Sequence, residues 1–167
     1  MEDEITVREF CLRILDSGDL QTKLRAPRNA AGKLLGDRDP GSPETRMSPT
    51  RDPELSLSHG ADRLPRPGQL TDPEARARCL ARFAHHELMA VELFAWALLR
   101  WPDLPPELRK LWLLTLEEEQ LHCRLYLGRL AAHGSELSQH TRSDYFWKQL
   151  PGIAQSPHGP RAFLSAM

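Results

Sequence analysis

The sequence predicts an all-α protein built on one long antiparallel helix hairpin, with an extended Pro-rich arm ahead of it. Three observations predict this. From Glu74 to Arg100 there is neither Gly nor Pro, and apolar residues recur there at helical spacing. A second stretch, from about Pro106 to Ala132, again carries apolar residues at helical spacing after a break at Pro102, Pro105 and Pro106. The segment 26–70 has the opposite character, holding seven of the fourteen prolines and five of the ten glycines, which suits neither a regular helix nor a sheet core.

In chain order, residues 1–25 form an amino-terminal helical segment. Phe10, Leu12, Leu15, Leu20 and Leu24 fall broadly at helical spacing over 4–25. Gly18 interrupts that run, so two shorter pieces are an alternative. Residues 26–70 form an irregular arm, either a disordered linker or a segment held against a neighbouring surface. Residues 71–134 form the hairpin. Thr71-Asp72-Pro73-Glu74 has the Thr-x-x-Glu spacing of a capping box, and Gly134 suits a carboxy-terminal cap. The tight Pro-rich turn between the two long helices makes them antiparallel neighbours. Residues 135–167 form a tail with an aromatic cluster, Tyr145-Phe146-Trp147, and Phe163–Met167 reads as the first turn of a further helix.

The balance of 22 Lys and Arg against 23 Asp and Glu gives no general attraction to nucleic acid or to anionic lipid. No apolar run approaches the roughly 20 residues that span a bilayer, and the acidic start lacks the order of a secretory signal. Cys11, Cys79 and Cys123 are odd in number and widely spaced, which suits reduced thiols and a cytoplasmic location. No Gly-rich phosphate loop, nucleophile elbow or paired Cys-x-x-Cys motif is present.

The residues that carry chemistry stand out on a helical wheel at about 100° per residue. Leu80, Ala84, Val91, Phe94 and Leu98 form the apolar stripe of the first long helix, with Glu87 in its middle. Leu108, Leu111, Trp112, Tyr126 and Leu130 form the stripe of the second, with Glu119 and His122 in its middle. Leu113, Leu114, Leu121 and Leu127 lie off that stripe and predict a second helix covered on more than one side. Carboxylates at the centre of a buried stripe need a partner. The heights agree: Glu87 lies about 16 residues before the turn at Asp103 and Glu119 about 16 after it, each roughly 24 Å away. Glu119-Gln120-Leu121-His122 places Glu and His on one face. One Glu from one helix plus Glu-x-x-His from its neighbour is a unit of carboxylate-bridged di-metal sites, and oxygen donors with one imidazole suit Fe, Mn or Zn. The plainer alternative is a buried hydrogen-bonded pair of Glu87 and His122 without a metal. His85 and His86 point about 120–140° away from the stripe, toward a supporting role rather than ligation. Glu92, at the stripe's edge, is a weaker ligand candidate. Tyr126 is a core tyrosine whose hydroxyl could reach the site, and Cys123 is a core residue.

At His86-Glu87-Leu88-Met89-Ala90-Val91-Glu92-Leu93 and Glu118-Glu119-Gln120-Leu121-His122 the chain resembles the ferritin-like superfamily. More narrowly, it is similar to an uncharacterised bacterial branch known as a domain of unknown function. The resemblance is loose before residue 71 and close from Leu80 to Leu130. It implies a partial ferritin-like helical bundle in which Glu87, Glu119 and His122 match the first-half metal ligands. It also implies iron or manganese as cofactor and a di-metal oxidoreductase as the activity. Relatives supply a second Glu and a second Glu-x-x-His from two further helices, and nothing after His122 does so here. The expectation is therefore a homodimer that completes the site, or a truncated form with an incomplete one. A non-catalytic helical interaction module is the alternative function. A hemerythrin-like oxygen binder, suggested by His85-His86-Glu87, lacks the further His-rich helices it needs.

Overall fold

The computed structural model describes residues 5–60 and 63–167, and it is helical, with two isolated β-bridges and no strand among the described residues. The expected first helix divides in two. A reciprocal capping box between Thr6 and Glu9 starts α1 (Val7–Asp16), whose buried face is Val7, Phe10, Cys11, Ile14 and Leu15. Ser17 is extended and ends it; Asp19 then caps the single turn of α2 (Leu20–Lys23) by accepting from the Thr22 N–H. The break falls at Gly18 because the arm crosses there. A Cβ on Gly18 would lie 2.7 Å from the backbone N of Asp52, which itself donates to the Gly18 carbonyl.

The arm is irregular apart from two short 3-10 turns, and it is fastened along α1 and the hairpin. Arg8 donates to the carbonyls of Pro40 and Ser42, and the Glu44 N–H reaches the Leu99 carbonyl. Trp96 donates its indole N–H to the Arg46 carbonyl, and the Thr50 N–H reaches the Leu15 carbonyl. Arg28 pairs with Glu117 across to the second long helix through both Nε, at 2.5 Å, and Nη2, at 2.6 Å. Leu35 and Leu55 are the arm's buried apolar anchors.

The long helices are α3 (Pro73–Arg100) and α4 (Pro106–Ala132). The cap of α3 is Asp72, not Thr71: its carboxylate accepts from the Glu74 N–H, and Pro73 fills the first helical position, where its missing N–H costs nothing. Gly134 follows α4 with φ 71°, the left-handed conformation that glycine adopts without a Cβ penalty. Contacts between the two helices pair rising with falling numbers: Phe83 with Tyr126, Ala84 with Cys123, Glu87 with His122, Phe94 with Trp112, and Leu98 with Arg109.

α3 is buried on every side from Leu88 to Leu99, under α1, the arm and the tail. α4 differs from its expected wrapping. Leu111, placed on its stripe, is 57% exposed, and Leu121 and Leu125 are also exposed, so one side of α4 has no cover among the described residues. The tail returns through α5 (Leu150–Gln155) and α6 (Gly159–Ala166) to the turn end of the hairpin. There Phe163 makes ring contacts with Phe94, Trp96, Trp101 and Trp112. No helix among the described residues is long and apolar enough to cross a membrane.

Candidate metal centre

Glu87 of α3 and Glu119 and His122 of α4 converge. One ligand atom from each lies within 4.8 Å of the other two. The helices approach closely at this level because small side chains face each other one turn away: Ala84 and Cys123 are both fully buried, and the Cys123 thiol donates to the Ala84 carbonyl at 3.4 Å. His122 Nδ1 stands 3.1 Å from Glu119 Oε2 and 3.9 Å from Glu87 Oε2. Two donors about 2.1 Å from one ion and at right angles to each other are about 3.0 Å apart, so the spacing fits a common cation after small side-chain rotations.

The electrostatics point the same way. Burial, then the hydrogen bond and negative charge of Glu119, push the Glu87 carboxyl up to about 8. Near neutral pH the two carboxylates therefore share a proton, with the His122 ring beside them. No Lys or Arg forms an ion pair with either acid among the described residues. The cluster is an oxygen-rich donor set with an unbalanced negative charge, half open to solvent on the His122 side. Such a set has the donor chemistry to take a cation in place of its shared proton.

The other residues singled out in the sequence lie elsewhere. Glu92, the weaker ligand candidate, is fully buried on the opposite side of α3 and belongs to an ion triad: Lys23 Nζ is 3.0 Å from Oε1, and Arg51 Nη2 is 2.8 Å from Oε2. Burial alone would raise its carboxyl, but Arg51 and Lys23 outweigh that and hold it low. Trp147 also donates to it, at 3.4 Å. His85 is buried on the same side, donating from Nε2 to the Ser143 carbonyl at 2.8 Å, with Nδ1 3.4 Å from Arg51. Burial, then the Arg51 charge, depress it to about 3, so it is neutral. His86 packs its ring on Phe146, 5.2 Å between centroids. Cys123 is a core thiol that burial pushes up to about 12, and Tyr126 stacks on Phe83.

Sequence reasoning missed Lys23 and Arg51. A signal for their partner existed: Glu92 is the lone acid in the apolar run from Leu88 to Leu99, which one stripe cannot account for. Nothing local marks Lys23 or Arg51 themselves, because one lies in a single turn of helix and the other in the arm.

No curated protein and no solved structure gives a significant match to the chain. Residues 16–166 match the family described as protein of unknown function DUF455, and the chain belongs to that family.

Proposed function

We propose that the protein is a metal-binding, ferritin-like protein in which Glu87, Glu119 and His122 hold iron or manganese, and that its activity is that of a di-metal oxidoreductase. The convergence of two uncompensated carboxylates and one imidazole from facing helices is the observation that carries this reading. The metal, when bound, would supply redox chemistry toward oxygen or peroxide. The chain's own residues bind and orient it. Glu87 gives up the proton it shares with Glu119, and His122 offers Nδ1 from the turn after Glu119.

Three ligands leave a di-metal centre half built, and we propose that a second copy of the chain completes it about a two-fold axis. The exposed side of α4 supports this. Leu121 and Leu125 flank His122 there, and the exposed Phe83 lies across from them on α3. The three cysteines are free, in keeping with a reducing, cytoplasmic setting for such a centre.

The test is anaerobic loading with Fe(II) or Mn(II), with metal content read by elemental analysis and oligomeric state by light scattering on the same column. The expected result is a dimer with about two metals, lost in Glu119→Ala. A folded, metal-free protein after loading would refute the reading. It would leave the trio as a proton-sharing structural cluster in a helical interaction module.

A further inference from the structure

A second cluster of charge, away from the carboxylates, has the opposite sign. Arg78 and Arg82 lie one turn apart on α3 and so share a side of that helix. They line a cavity of about 160 Å³ with Arg63 at the end of the arm and Gln139, His140 and Thr141 beyond α4. No acidic residue lines it among the described residues. The chain as a whole is close to neutral, so this concentration of guanidinium groups is local.

The arginine side chains of the cavity are the donors that matter. None of the three arginines forms an ion pair among the described residues. Arg82 Nη1 is buried and has no hydrogen-bond partner there. A buried cationic N–H without an acceptor is unfavourable, and an oxyanion is the ligand that satisfies it. Gln139 adds a further donor. Its Oε1 already accepts from the Ser135 hydroxyl and the Glu136 N–H, which leaves its amide nitrogen to offer. Size narrows the class. At about 30 Å³ per water, the cavity has room for roughly five waters. A phosphate group with a short substituent fits that space.

We propose that this cavity binds a small phosphomonoester through its terminal dianion, held by Arg78 and Arg82 with Arg63 opposite. Guanidinium forks match the oxygen geometry of phosphate. The proposal stands apart from the metal reading, since Glu87, Glu119 and His122 do not line the cavity.

Calorimetric titration of the full chain with inorganic phosphate and methyl phosphate tests it, with dimethyl phosphate and chloride at matched ionic strength beside them. One saturable site for the first two ligands is expected, with dimethyl phosphate and chloride at least about tenfold weaker. Arg82→Gln should weaken binding by about tenfold or more, and Arg82→Lys by less. Because Arg82 is partly buried, the exposed Arg78→Gln serves as the variant that keeps the fold, checked by circular dichroism; it too should weaken binding. Equal binding of chloride, equal binding of dimethyl phosphate, or full retention of phosphate binding in Arg78→Gln and Arg82→Gln would each overturn the assignment.

Discussion

Replacing Glu92 by Gln separates the two acids of α3 by what their loss does. In the native chain Glu92 is the anion that forms ion pairs with two buried cations, Lys23 and Arg51, whose side chains are 0% and 2% exposed. Removing its charge leaves Lys23 with the Ile14 carbonyl, at 2.7 Å, and Arg51 with the Leu55 carbonyl, at 3.3 Å. Breaking one buried ion pair costs roughly 3–5 kcal/mol, and here two cations are stranded, so the upper part of that range applies. For a chain of this size, that lowers Tm by about 10–20 °C. Urea unfolding followed by circular dichroism measures the loss. Metal binding in the folded variant, assayed well below its Tm, should match the wild type, because Glu92 does not contact the Glu87 cluster. A triple change of Lys23, Glu92 and Arg51 to Met should recover most of the stability, since it removes the charges together. A loss under about 1 kcal/mol would sink the triad as the clamp between arm and hairpin. A loss of metal equal to that of Glu119→Ala would instead make Glu92 a ligand.

Other consequences are checked more simply. Glu87 has a folded-state carboxyl raised to about 8 from an ordinary value of 4.5, so the folded metal-free chain binds the extra proton and stability falls as pH rises through 4.5 to 8; Glu87→Gln should flatten that slope in pH-dependent urea midpoints. His85 is depressed from 6.5 to about 3, so its contribution is present above pH 6.5 and is lost as pH falls toward 3; His85→Gln should remove part of that acid sensitivity in the same experiment. Phe163→Ala empties a 1%-exposed site among four aromatic rings and should cost about 3–5 kcal/mol by urea unfolding; a cost near zero would mean that α6 is not docked.

The hairpin was legible because its signals are local. Prolines at 102, 105 and 106 end one helix and start the next, and the absence of Gly and Pro from Glu74 to Arg100 leaves the chain free to continue. The meeting of Glu87 with Glu119 and His122 followed from counting turns on either side of Asp103, which works wherever two straight helices share a short connection. Where a feature depended on which side chain outcompetes another, or on distant segments, the pattern was insufficient. Thr71 and Asp72 can both cap α3, and the carboxylate next to Pro73 is the one that does. Leu111 fits the periodicity of α4, yet nothing described packs over it. The apolar stripe marks only the side of α3 that α4 covers; the arm and the tail cover its other sides and leave His85 and Glu92 buried there.

Glu87 and Glu92 sit five residues apart on one helix, about 140° apart around it. That rotation sends one acid into the interior between α2 and the arm, and the other to the open face shared with α4. The interior acid meets two cations and is neutralised by the protein itself. The outward acid meets a second carboxylate and a half-exposed imidazole, and holds a proton well above the usual carboxylate range. Burial differs as well: the Glu92 side chain is fully buried, whereas those of Glu87 and Glu119 are 16% and 21% exposed, so the interior acid is the one that demands full compensation by the protein. The chain balances Glu92 internally and gives the Glu87–Glu119 pair no Lys or Arg partner among the described residues. In the metal-free protein the shared proton offsets one of the two negative charges, and the proposed metal ion would take its place.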